Sequence, residues 1–283
     1  TGGPDDDPEA IATAVRAGYR LIDTAELYDN EEIVGEGIRR SGVHRDSLFL
    51  SSKHGRWCDG EPPPAVAAAV PAEHRGIRGV YPTSRGTLGR GVCIGGGEAV
   101  RAALSASLRR LGVGYLDLYL LHWPLTTAGY ALDDGRHAAV RLEAWRALVE
   151  MKREGLVRAI GVSNFSPRQL RPLIAVEAPA VLQIELHPIL QRAELRTFCA
   201  AHGIALQAYG NFRLEVREHP FVAAAAARAD LAALSPEPAA LLALRWTLQA
   251  GAALIPRSRR PEQITANKHV FAPAAARALG GDA

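Results

Sequence analysis

The sequence predicts an α/β fold, a (β/α)8 TIM barrel, from three observations. Short β-rich runs alternate with amphipathic helical segments over most of the chain. Asp23, Lys53 and His122 stand at the C-terminal ends of three of those runs, and barrel strand ends gather on one face, where active sites are built. A length of 283 residues allows one large α/β domain or two small ones, and the chain is read as one barrel domain over 1–283.

Taken in order, a helical pattern over 8–17 precedes the first run, 20–24. Further runs follow at 48–53, 116–122, 158–163, 181–185, 204–209 and 252–256. Between them lie amphipathic segments: 98–111 carries Val100, Leu104, Leu108 and Leu111 at helical spacing, and 142–154 carries Trp145, Leu148 and Met151. These are seven runs where a closed barrel has eight strands. With only seven residues ahead of the first helix, the first strand is expected to be incomplete and the chain N-terminally clipped. Residues 55–97 break the pattern: they lack a sustained period, and about a third are Gly or Pro. They are expected to form an irregular insertion or disordered loop, a gene-model artefact being one version of that reading, because long connections without structure are uncommon in compact domains.

Composition excludes several function classes. The chain is 48% hydrophobic and 22% charged, and it has no run of 18 apolar residues to span a bilayer. A net charge of +3 with scattered arginines implies no nucleic-acid partner. Cys58, Cys93 and Cys199 form no C-x-x-C pair and are expected to be reduced thiols, which agrees with a cytoplasmic location. The chain starts at Thr1 without an initiator Met or an apolar signal core, leaving room for a targeting segment upstream. His54, Cys58, His74 and Cys93 match no metal-ligand spacing, and no metal is expected.

Four residues suggest proton transfer. Tyr28 lies five positions after Asp23, in a loop that the catalytic face would present. A tyrosine hydroxyl, with pKa about 10 in water, is too weak an acid to act efficiently near neutral pH. The Lys53 ammonium favours the phenolate and is expected to lower the Tyr28 pKa, while Asp23 keeps that ammonium charged and in place. His122 is expected to hydrogen-bond and orient a substrate oxygen.

The segments GYRLIDTAELYDNEEIVGEGI (18–38), LDLYLLHWP (116–124), EGLVRAIGVSNF (154–165) and ALRWTLQAGAALIPRS (243–258) resemble four signatures of the aldo-keto reductases, in that family's order. The resemblance implies Tyr28 as proton donor, Lys53 and Asp23 as its tuning pair, and His122 as the residue orienting the carbonyl. It implies that Ser163, Asn164 and Gln183 hold a nicotinamide carboxamide and that Tyr209 stacks on its ring. Arg257, Ser258 and Asn267 would grip an adenosine 2′-phosphate, favouring NADPH with NADH as the other candidate. Arg257, Arg259 and Arg260 offer charge-assisted bonds to such a dianion. Trp57 and Trp123 would form apolar walls of the substrate pocket.

The chain departs from the family's pattern at several places. Arg257 stands for the usual Lys, Gln263 for an Arg, and Gly210-Asn211-Phe212-Arg213 for Ser-Pro-Leu-Gly. The expectation is an NADPH-dependent reduction of a small-molecule aldehyde or ketone by a monomer. The alternatives are a catalytically weak, nucleotide-binding regulatory barrel and a defective product of a truncated gene.

Overall fold

The computed structural model describes residues 6–57, 92–126, 135–228, 231–233 and 235–271. Among the described residues nine strands run in chain order: β1 (Leu21–Asp23), β2 (Phe49–His54), β3 (Arg56–Trp57), β4 (Val92–Cys93), β5 (Leu116–Leu121), β6 (Val157–Ser163), β7 (Val181–Glu185), β8 (Ala205–Tyr209) and β9 (Ala252–Leu254). Their principal helices are α1 (Pro8–Arg16), α2 (Glu31–Ser41), α3 (Gly97–Leu111), α4 (Arg136–Arg153), α5 (Pro167–Ile174) and α6 (Ala193–Ala201). The shorter α7 (Leu214–Arg217) and α8 (Pro220–Arg228) precede α9 (Pro238–Gln249) and α10 (Pro261–Ala266).

Seven strands form one sheet in the order β1-β2-β5-β6-β7-β8-β9, and every pairing is parallel. The seven sequence runs correspond one to one with these strands. All six residues of β5 are buried, as expected of a parallel strand covered on both faces. The result is a sheet curled into a half-barrel with helices outside it. Among the described residues no eighth strand joins β1 to β9, so the strand expected before β1 is the one not seen.

Local sequence explains the helix ends. Asp7 caps α1, its carboxylate accepting from Glu9 N–H at 2.9 Å. Gly42 and Gly112 end α2 and α3 in the left-handed conformation. On α2, a Cβ at Gly35 would lie 2.3 Å from the Leu111 carbonyl oxygen, and one at Gly37 would lie 2.6 Å from Ile11 Cβ. Glycine at those two positions lets α2 approach both α1 and the end of α3.

Residues 55–97, expected to be irregular, have ordered ends. There β3 and β4 pair antiparallel, Arg56 opposite Cys93 and Trp57 opposite Val92. Residues 58–91, including Cys58 and His74, lie outside the described residues. Cys93 is disulfide-bonded, which corrects the expectation of reduced thiols for that residue; spacing in the sequence does not reveal which cysteines fold together. Cys199 is free and buried, and burial pushes its thiol up to about 11.

Candidate active site

The four proton-transfer candidates converge at the C-terminal edge of the sheet. Asp23 ends β1, Lys53 lies one residue before the end of β2, and His122 follows β5 directly. Tyr28 closes a single 3-10 turn, Glu26–Tyr28. Lys53 is fully buried, and its ammonium donates to Asp23 Oδ2 at 2.5 Å and to the Thr24 carbonyl at 2.7 Å. The other Asp23 oxygen, Oδ1, accepts from Ser51 Oγ at 2.7 Å and Gln183 Nε2 at 3.0 Å. The Tyr28 ring meets His122 edge-on with centroids 5.6 Å apart, and Lys53 Nζ lies 5.2 Å from the Tyr28 centroid.

The electrostatics follow from that packing. Burial tends to neutralise Lys53, but the charges and hydrogen bonds of Asp23 and Tyr28 outweigh it, and its pKa rises above the ordinary lysine value. For Tyr28, burial raises the pKa, Lys53 lowers it, and Asp23 raises it again; the net shift is upward. Lys53 therefore acts in the expected direction without setting the sign. Burial, and then the positive charge of Lys53, hold His122 well below the usual histidine range. Its imidazole is neutral at physiological pH, with a buried Nδ1 that has no hydrogen-bond partner.

The residues assigned to the carboxamide also come together. Asn164 donates from Nδ2 to the His122 carbonyl at 3.1 Å and to Ser163 Oγ at 3.0 Å, while its Oδ1 accepts from the Tyr209 hydroxyl at 2.7 Å. Asn164 has φ +66°, a conformation that asparagine tolerates better than most residues. Gln183 directs its amide N–H groups to Asp23 and to Gln207 Oε1 at 2.5 Å, which leaves its carbonyl oxygen to accept. Burial pushes the Tyr209 hydroxyl pKa far up, so the side chain is uncharged at neutral pH.

In the basic loop after β9, guanidinium groups converge. Arg257 and Arg259 converge on one carboxylate oxygen, Asp6 Oδ1, at 3.3 and 3.4 Å, so the pair already grips an anion. Ser258 Oγ accepts from Arg260 N–H at 3.1 Å. Asn267 is buried, and its Oδ1 accepts from Gln263 Nε2 at 2.7 Å. Arg260 pairs with Glu237 at 2.5 Å, pointing its charge to α9. Trp123 is partly buried beside His122, whereas the Trp57 side chain lies outside the described residues.

A family model described as "Aldo/keto reductase family" matches residues 3–275. The chain belongs to the aldo/keto reductase family. It is similar to an aldo-keto reductase of Mycolicibacterium vanbaalenii, with 37% identity over 266 residues, covering 93% of this chain and 77% of that protein. An aldo-keto reductase of Mycobacterium tuberculosis is 36% identical over 271 residues, covering 94% and 78%. Among solved structures, the aldo/keto reductase from Brucella melitensis superposes with TM-score 0.70 at 33% identity, covering 94% of this chain and 83% of that one. A Bombyx mori aldo-keto reductase in complex with NADP has TM-score 0.70 at 28% identity, covering 98% and 84%. Membership makes the chain an oxidoreductase and accounts for the seven parallel strands as part of a (β/α)8 barrel. No helix among the described residues is long and apolar enough to cross a membrane.

Sequence reasoning missed several participants. Gln207 pairs across the strands with Gln183; its only signal was a polar residue in the apolar run ALQAY. Asp6, between the arginines, carried no signal at all. Glu26, two residues before Tyr28, and His54, next to Lys53, face each other at 3.0 Å; the sequence offers His54 only as part of a metal-ligand spacing that matches no pattern, and Glu26 carries no signal.

Proposed function

We propose that this aldo-keto reductase reduces an aldehyde or ketone to the alcohol at the expense of NADPH, with Tyr28 giving its phenolic proton to the carbonyl oxygen. The observation that carries this reading is the buried Lys53–Asp23 pair beside the Tyr28 ring and the His122 imidazole.

Each residue then has a defined task. Tyr28 is protonated at neutral pH, since its pKa lies above the ordinary value, so it is in the form that can donate. Lys53 stabilises the phenolate left behind, and Asp23 keeps the ammonium charged. His122, neutral and buried, orients the carbonyl, with Trp123 and Trp57 as apolar walls. Ser163, Asn164 and Gln183 would hold the carboxamide of the cofactor and Tyr209 its ring. Arg257, Ser258 and Asn267, helped by Arg259, would hold the 2′-phosphate. Bound there, NADPH supplies the hydride. NADP in the Bombyx mori relative supports NADPH over NADH. The reading takes 1–283 as a single barrel domain, working as a cytoplasmic monomer on a small-molecule carbonyl.

The test is Tyr28→Phe, which removes the proton and keeps the ring. NADPH consumption across aliphatic, aromatic and sugar aldehydes should fall by about 10²- to 10⁴-fold, the range of general acid catalysis, while NADPH still quenches protein fluorescence. Turnover within tenfold of the parent would refute Tyr28 as the donor. NADPH binding by the parent without consumption of any aldehyde would refute the reductase reading itself.

A further inference from the structure

We infer that Glu26 and His54 form a buried positioning pair that holds Tyr28 against Lys53 and His122. The inference rests on the reading of Tyr28 as proton donor.

Tyr28 sits on a weak support. Its 3-10 turn is three residues long, with Tyr28 N–H to Ala25 carbonyl at 3.0 Å and Asp29 N–H to Glu26 carbonyl at 3.4 Å as backbone bonds. Ala25 gives it no side-chain cap, and Asp29 leaves it in the left-handed conformation at φ 49°. Such turns have poorer hydrogen-bond geometry than an α-helix. The flanks are secured: Thr24 N–H donates to the Ser51 carbonyl at 3.0 Å, and Thr24 Oγ1 donates to Asn30 Oδ1 at 2.6 Å. Between those anchors, the Glu26 carboxylate ties the turn to the end of β2.

That tie is nearly buried, with the side chains of Glu26 and His54 9% and 5% exposed. His54 Nδ1 lies 3.0 Å from Glu26 Oε2, and the same oxygen accepts from Gly55 N–H at 3.4 Å. At the other side of the ring, Gly95 N–H donates to His54 Nε2 at 3.0 Å. A backbone N–H can only donate, so Nε2 carries the lone pair and the proton sits on Nδ1, facing Glu26. Burial pushes the Glu26 carboxyl up, but the hydrogen bond from His54, the Gly55 N–H and the charge of Arg56 outweigh it, and its pKa lies below the ordinary glutamate value. The carboxylate is therefore charged and satisfied where it is.

Three parts of the site meet at this pair. His54 follows Lys53 in β2, so fixing the imidazole fixes the backbone beneath the lysine. The His54 carbonyl accepts from His122 N–H at 2.9 Å, and a Cβ at Gly55 would lie 3.0 Å from His122 Cβ. Glu26 is two residues from Tyr28 on the same turn. One contact thus links the donor's turn, the lysine's strand and the backbone of the orienting histidine. Misplacing a catalytic group by about 1 Å lowers rates by about 10²-fold, so loosening the turn should act on turnover before it acts on binding.

The experiment uses Glu26→Ala, Glu26→Gln and His54→Phe in the full chain, with kcat and KM measured over a pH series, NADPH affinity by fluorescence, and Tm. Glu26→Ala and His54→Phe should each lower kcat about 10- to 100-fold, with NADPH affinity within about threefold of the parent. Glu26→Gln keeps an oxygen acceptor for His54 and should recover most of the loss. On a Tyr28→Phe background, Glu26→Ala should lower the residual single-turnover rate by less than about threefold. A full additional loss there would show that Glu26 acts elsewhere and overturn the pairing, whereas high activity of Tyr28→Phe alone would overturn the donor reading instead. Unchanged kcat in either Glu26→Ala or His54→Phe, or a Glu26→Gln variant no better than Glu26→Ala, would also overturn the proposal.

Discussion

Replacing Asp117 by Ala should destabilise the protein by about 3 kcal/mol and leave its catalysis intact. Asp117 is the second residue of β5, at the end opposite the candidate active site, and its side chain is 4% exposed. One oxygen accepts from Leu50 N–H at 2.9 Å and from Arg45 at 2.7 Å, and the other from Arg158 at 3.0 Å. It thereby fastens the starts of β2, β5 and β6. Orphaning a buried amide costs about 1–3 kcal/mol, and losing a hydrogen bond to a charged group about 1.5–3 kcal/mol. Arg45 keeps the Leu48 and Tyr115 carbonyls and stacks on the Tyr115 ring at 4.2 Å, so the low end applies to it. Arg158, 56% exposed, adds at most about 1 kcal/mol. For a chain of this size about 3 kcal/mol corresponds to a Tm fall of roughly 6 to 10 °C. Thermal unfolding followed by circular dichroism measures the shift, and steady-state kinetics at 25 °C measures the catalysis. A Tm change under 2 °C would refute the energetic reasoning. A large loss of kcat in the folded variant would refute the separation of a stability end from a catalytic end.

Two further outcomes follow from charge placement. Asp6 occupies the anion position between Arg257 and Arg259, whose side chains are 45% and 47% exposed; at such exposure each pair is worth at most about 1 kcal/mol. Asp6→Asn should therefore tighten NADPH about 3- to 10-fold and leave NADH unchanged, and equal tightening of both in titration calorimetry would count against it. The depressed pKa of His122 means that the unfolded chain takes up its proton first, near pH 6.5, while the folded chain stays neutral. Its contribution to stability is present above that pH and lost below it, by up to about 1.4 kcal/mol per pH unit. Urea unfolding between pH 5 and 6.5 should show a shallower pH slope for His122→Asn than for the parent, and identical slopes would contradict the buried, neutral imidazole.

The strands were legible because their period and length are local properties: 181–185 was read within the residue, and 20–24 and 252–256 ran one or two residues long at their ends. Asp23, Lys53 and His122 were legible for a related reason, since a polar residue ending an apolar run marks the rim of the sheet. What stayed hidden depends on contacts distant in sequence. Asp6 meets Arg257 across 251 positions, and Gln183 meets Asp23 across 160, and no local pattern encodes either. The pairing of β3 with β4 closes across residues 58–91, a separation that no local pattern encodes.

The Tyr28 pKa shows where residue-by-residue logic goes astray. From sequence, a lysine beside a tyrosine lowers its pKa. In the folded site that lysine is paired with Asp23 at 2.5 Å, so the tyrosine faces a nearly neutral ion pair, not an isolated cation. Asp23 raises the Tyr28 pKa even as Lys53 lowers it, and burial adds a larger upward push than either. Asp23 thus works in two directions: it keeps Lys53 charged, and it weakens the field of Lys53 at the phenol. The outcome suits reduction more than oxidation. A proton donor must hold its proton until the carbonyl oxygen develops charge, and only then does the ammonium beside it gain from the phenolate formed. A tyrosine already ionised at neutral pH would have no proton to give.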